Sequence, residues 1–173
     1  MLALLAAALV VAGAASSAPA DGCPDGVVEL LNGLYAWQVA RQDAPGRGDL
    51  VEQSQRFTAS LFDQLKQAWA LDPRIDGAYL GFDVFSGTQM ATYGADVLRC
   101  QSHTPDQIDA EVAVAWGRGG QPAPTPSLLE YRMVREDDDR WRISEITYRS
   151  NEEPYTLSST LTNLLKVVSR SSP

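Results

Sequence analysis

The stretch Ile108-Asp109-Ala110-Glu111-Val112-Ala113-Val114-Ala115-Trp116 decides the fold. Ile108, Ala110, Val112, Val114 and Trp116 recur at every second position, with Asp109 and Glu111 between them. Successive strand side chains point to opposite faces, so this alternation predicts a half-buried β-strand. The segment before it, about Gln89 to Cys100, reads as a weaker strand. After it, Gly117 to Pro126 holds three Gly and three Pro and reads as a loop. Ser127 to Arg135 is a third strand. Glu136-Asp137-Asp138-Asp139 turns the chain into a fourth, Arg140 to Arg149. The fourth strand has a phase conflict: Trp141 and Ile143 fall on one face, Ile146 and Tyr148 on the other. Either both faces are partly covered, or a bulge near Ser144–Glu145 resets the alternation and bends the sheet.

Outside these strands the apolar period changes from 2 to 3.6. Val27, Leu30, Leu31, Leu34, Trp37 and Gln38 predict an amphipathic helix ending near Arg41, with Asp25 as its cap and Glu29 in its first turn. Ala44-Pro45-Gly46-Arg47-Gly48 breaks it. Residues 49–57 are polar and suit a short helical turn. Leu61, Leu65, Ala68 and Trp69, with Phe62 beside them, mark a second helix from Thr58 or Ser60 to Leu71, stopped by Asp72-Pro73. Residues 72–88 are irregular yet apolar, so they pack on the body while their backbone wanders. Leu157, Leu161, Leu164, Leu165 and Val168 mark a closing helix, about 157–168. The expected architecture is α+β: two N-terminal helices, a curved four-stranded antiparallel meander and a C-terminal helix, together cone-like.

The chain has 173 residues, 45% hydrophobic and 21% charged, with net charge −8. That composition excludes disorder, collagen, a coiled coil and a multi-spanning membrane protein. The acidic balance has the wrong sign for a nucleic-acid partner. Residues 1–20 carry no charge, are mostly apolar and end in an A-x-A pattern, as a secretory signal peptide does. The expected division is residues 1–20 as signal and 21–173 as one α+β domain. The product would be exported, periplasmic or extracellular, with no stable membrane span after processing. No Lys or Arg precedes the apolar run, and an uncleaved helical anchor is the other reading. Cys23 raises lipidation as a third, which Asp21 fits badly. The two cysteines, Cys23 and Cys100, are an even pair compatible with one disulfide in an oxidising compartment. Two unrelated thiols are the alternative. A bridge would close a loop of about 77 residues, which contributes ~4 kcal/mol in the chain-entropy model.

Several stretches occur in a familiar order: Leu34-Tyr35-Ala36-Trp37, then Asp83-Val84-Phe85 with Gln89, then Trp141-Arg142-Ile143-Ser144-Glu145-Ile146-Thr147-Tyr148, then a Leu-rich helix. The chain resembles a bacterial family of exported proteins of unknown function, whose pattern reads Y-x-W-Y-L, D-P-F-x-x-x-Q-D and W-x-I-x-x-I-x-Y. The resemblance covers nearly all of residues 27–168. It implies the nuclear-transport-factor-2-like, cone-shaped α+β group and carries no established reaction. Gln38, Val84 and Met90 depart from the pattern, which thins the polar patch that the motifs would build. Fold analogy transfers no function.

Candidate chemistry is sparse. His103, the one histidine, lies in Ser102-His103-Thr104-Pro105, which reads as a hairpin loop. A His–carboxylate pair can do acid–base work, but a loop histidine is ordinarily solvated. Asp137-Asp138-Asp139 lacks the ligand spacing of a calcium loop and reads as a solvated hairpin tip. Asp109 and Glu111 are paired carboxylates in a pocket if their strand face is concave, and solvent-facing if it is not. Asp83 and Gln89 flank Phe85, either at a pocket mouth or bonding irregular backbone. Tyr35, Trp37, Trp116, Trp141 and Tyr148 can line a cavity for a small apolar or amphipathic ligand or form plain core. No nucleotide, hydrolase or metalloprotease motif occurs, and no metal or cofactor is implied.

The leading expectation is a non-catalytic binding or interaction module of the bacterial cell envelope. Its partner is an unknown small apolar ligand or an envelope protein, bound through Tyr35, Trp37, Asp83, Phe85, Gln89, Trp116 and Tyr148. The alternatives are a cone-pocket lyase or isomerase using Asp83 or Asp109, with or without His103, and a structural protein that self-associates, for example as a homodimer.

Overall fold

A computed structural model describes residues 21–42, 50–76, 78–149 and 153–171. The signal segment expected at 1–20 lies outside them. The chain is α+β, with an antiparallel sheet and helices at both ends. Helix α1 spans Asp25–Gln42, a 3-10 helix Leu50–Arg56, α2 Ala59–Trp69 and α3 Pro73–Asp76. Strands β1 Ala91–Thr104, β2 Gln107–Arg118, β3 Gln121–Pro122, β4 Ser127–Arg135, β5 Trp141–Tyr148 and β6 Tyr155–Thr156 follow, and α4 Leu157–Ser171 closes the chain.

The long strands pair in the order β1-β2-β4-β5, with β6 beyond β5 and β3 paired to β2. Six strands replace the expected four because two short pieces join the sheet. Gly119 and Gly120 have φ of 60° and 78°, as a two-residue hairpin of the twist-matched kind requires. Part of the expected loop therefore folds back as β3. Strand β6 forms where the chain turns into α4.

Pairing explains both ambiguous strands. Arg132 faces Glu145 and Met133 faces Ile143, so Ser144 is an extra residue in β5. The bulge puts Ile143, Ile146 and Tyr148 all in the core and ends the phase conflict. Ser144 Oγ donates to Arg132 O at 3.1 Å and pins it. Strand β1 has three such extra residues, Tyr93, Leu98 and His103. They scramble its alternation, which is why its sequence is weakly patterned. Strand β1 also runs past Cys100 to Thr104, so His103 is a strand residue, and the turn is Pro105-Asp106.

The core fills the space between one sheet face and the helices. Val27, Leu31 and Leu34 of α1 and Leu61 and Leu65 of α2 meet Ile108, Val112, Leu129 and Met133 of the sheet, with Leu157 and Leu161 of α4. Helix α1 begins at Asp25, whose charge sits in the first turn, and the amides of Val27 and Val28 bond to Pro24 O, so Asp25 is not the cap. Thr58 is the N-cap of α2 by position, without a side-chain bond. At α4, Glu145 of β5 accepts from the Ser158 amide at 3.0 Å, a carboxylate at a helix start.

Cys23 and Cys100 are bridged across 77 residues, with Cα atoms 4.8 Å apart. Beside the bridge, Asp21 pairs in parallel with the free edge of β1: its carbonyl accepts from Cys100 N at 3.0 Å. Among the described residues, no helix is long and apolar enough to cross a membrane.

Candidate functional site

The irregular segment before β1 is organised by Asp83. Its Oδ1 accepts from Phe85 N at 2.9 Å, and its backbone carbonyl accepts from Gly87 N at 2.8 Å. Gly87 takes φ 69°, which closes the turn without a Cβ penalty. This turn drives Val84, Phe85 and Ser86 inward, all fully buried. The Val84 and Phe85 carbonyls have no strand ladder to join, so buried tyrosines serve them. Tyr35 donates to Phe85 O at 2.8 Å and Tyr148 to Val84 O at 2.9 Å. Tyr35 and Tyr131 hydroxyls lie 2.8 Å apart. The Tyr35 proton is committed to Phe85, so Tyr131 donates to Tyr35. Burial pushes the phenols of Tyr35, Tyr131 and Tyr148 well up. Trp37 meets Phe85 edge-on, with centroids 5.9 Å apart. Phe85 and its tyrosines thus pack against one another and against Trp37.

The second carboxylate oxygen of Asp83 looks the other way, toward α1. It accepts from Gln38 Nε2 at 2.5 Å and from Arg41 Nη2 at 2.6 Å. Arg41 Nε donates to Gln38 Oε1 at 2.6 Å, closing a three-residue ring of bonds. The Arg41 guanidinium also lies 4.9 Å from both the Trp37 and the Trp69 ring centroids. Two aromatic faces hold it as a plane. Burial pulls its pKa down, and the Asp83 charge opposes that.

Arg41 and Asp83 form the polar part of a cleft of about 240 Å³, whose walls are Ala68, Trp69, Leu71, Leu80 and Phe82. Leu80, Phe82 and Asp83 also border an open groove of about 600 Å³, which continues past Tyr79, Gly81, Gln89 and Met90. Tyr79 and Met90 are both exposed, so the groove has an apolar rim.

Of the residues singled out from the sequence, Tyr35, Trp37, Asp83, Phe85 and Tyr148 converge. Gln89 sits at the groove, its Nε2 on Gly81 O at 2.6 Å. Trp116 pairs across from Thr92 near the end of β2, outside the linings of the cleft and the groove, and its indole N–H meets no described acceptor. Asp109 and Glu111 face away from the buried residues of β2. Asp109 accepts from Arg132 Nε at 3.0 Å and lies 2.7 Å from His103 Nε2, while Glu111 pairs with Arg99 at 2.8 Å. Arg132 and His103 together hold the Asp109 carboxyl below its ordinary range, against the opposing effect of burial. Asp138 accepts from Arg140 and Arg142, which ties down the tip of its hairpin.

Sequence reasoning missed Arg41, Trp69, Leu80 and Phe82 as site residues. It also took Gln38 as part of an apolar stripe and as a loss from the polar patch. Gln38 is fully buried and instead extends that patch. The spacing of Trp37 and Arg41, one helical turn apart, was the available signal. Comparison with protein-family models, with curated proteins and with solved structures gives no match.

Proposed function

We propose that this protein is an exported, non-catalytic binding module of the bacterial cell envelope, of the cone-shaped group that its motifs resemble, and that it binds through the Arg41–Asp83 cleft. One observation carries the reading. The cleft combines a guanidinium fixed between two indole rings with apolar walls, beside carboxylate oxygens already committed to protein donors. That combination suits recognition: a few placed polar groups on an apolar surface. It suits proton transfer poorly, because Gln38, Arg41 and the Phe85 amide occupy the oxygen positions that a substrate proton would need. His103 and Asp109 lie on the far sheet face, outside the cleft. The disulfide fits an oxidising compartment.

Native mass spectrometry of the protein taken from a bacterial envelope tests this reading, with a denatured, non-reduced control. The expected result is an adduct or partner on the wild type that is lost from Leu80→Trp, a variant that fills the cleft. A bare monomer in both, or a homodimer indifferent to Leu80→Trp, contradicts it, and the second outcome would favour self-association.

A further inference from the structure

We propose that the cleft takes a carboxylate that carries a short apolar group. This rests on the binding-module reading and names its ligand class. Arg41 has five N–H donors in one plane. Nε serves Gln38 and one Nη2 hydrogen serves Asp83, while Nη1 donates to no described residue. With 14% of its side chain exposed, the guanidinium keeps those spare donors within reach of solvent, so a ligand can accept from them in place of water. Trp37 and Trp69 stop it from swinging out to water. The group that satisfies such a fork is a planar acceptor, and a carboxylate matches its geometry with two parallel bonds. The Asp83 charge leaves the pair neutral, so a singly charged ligand suits the site better than a doubly charged phosphate. Leu71, Leu80 and Phe82 set the other half of the requirement. The volume, about 240 Å³, lies below the usual range of drug-sized sites and limits the apolar group to about one ring or one branched side chain. The adjoining groove leaves an exit along Tyr79 and Met90, so the carboxylate can belong to a free acid or to the C-terminus of a peptide.

Isothermal titration of the disulfide-bonded protein decides this, with phenylacetate against phenylacetamide, and a peptide ending in Leu-Phe as free acid against its C-terminal amide. The acids should bind at least tenfold more tightly than the amides. Arg41→Lys, which keeps the charge and loses the fork, should weaken the acids at least tenfold, and Leu80→Trp should abolish binding. Tighter binding of the peptide acid than of phenylacetate assigns a peptide terminus, and the reverse assigns a free acid. Amides binding as well as acids, acids indifferent to both variants, or no acid binding at millimolar concentration overturns the proposal. A wild type that ignores every acid yet carries an adduct lost in Leu80→Trp sinks this inference alone. A bare wild type in the native spectrum sinks the reading beneath it.

Discussion

Tyr35 shows how single residues hold this site together. Its hydroxyl gives its proton to Phe85 O and receives one from Tyr131, so it serves two groups that burial has cut off from water. Tyr35→Phe removes both bonds and leaves an orphaned carbonyl and an orphaned hydroxyl. We expect a loss of about 1–3 kcal/mol in urea unfolding, with the fold retained. The same burial sets a pH dependence. Tyr35, Tyr131 and Tyr148 have folded pKa values raised above the unfolded value of ~10. The unfolded chain then loses these protons first, so their contribution is complete below pH ~10 and is lost as pH rises further. Absorbance titration should show three of the six tyrosines ionising only together with unfolding. Early ionisation of all six in a chain that is still folded contradicts it. Little of this was legible beforehand. Tyr35 was marked as an aromatic, but its partners lie 50 and 96 residues away. Arg41 was read only as the end of a helix, because Asp83 lies 42 residues on and nothing local announces the pairing.

Among the elements, legibility follows how far each strand keeps its period. Strand β2 is regular against β4, and its alternation was plain. Strand β5 breaks phase once, which fits either two partly covered faces or a bulge near Ser144–Glu145, and the pairing shows the bulge. Strand β1 breaks three times within fourteen residues, and no alternation survives to be read. Hence Ser102-His103-Thr104-Pro105 reads as a loop in the sequence. The bulge at Ser144 gives a direct prediction. Deleting Ser144 makes Met133–Ile143 and Arg132–Glu145 consecutive pairs, so Ile143 and Ile146 keep the core face and only the bend is lost. We expect both isoleucines to stay buried and the loss to exceed that of the side-chain bond alone, because the core is packed on the bent sheet. Ser144→Ala, which keeps the extra residue and loses only the bond to Arg132 O, should cost about 1 kcal/mol by thermal unfolding. Equal effects from the two would show that the bond to Arg132 O, and not the bend from the added residue, is what the bulge contributes.

At the scale of the whole molecule, the N-terminal segment is fastened to the free edge of the sheet. The Cys23–Cys100 bridge and the Asp21 pairing cover the middle of β1, and the Gln42 side chain covers its start through two bonds to the Thr92 backbone. An edge strand left open invites pairing with another chain, so this fastening protects as well as stabilises. The double variant Cys23→Ala, Cys100→Ala should lose ~4 kcal/mol of unfolding free energy, the value expected for a closed loop of 77 residues. It should also show concentration-dependent mass in sedimentation, and a variant that stays monomeric at high concentration would contradict the protective role.

Binding at the cleft between α1, α2 and the segment before β1, as proposed above, has a signature in backbone exchange. Hydrogen exchange of the pure protein, measured with and without an envelope extract, tests it most directly. Binding there should add protection over residues 78–91 and the C-terminal turns of α1 and α2, and none over the ionic sheet face at Arg99, Asp109 and Glu111. Protection confined to that sheet face, or no change anywhere, would contradict it.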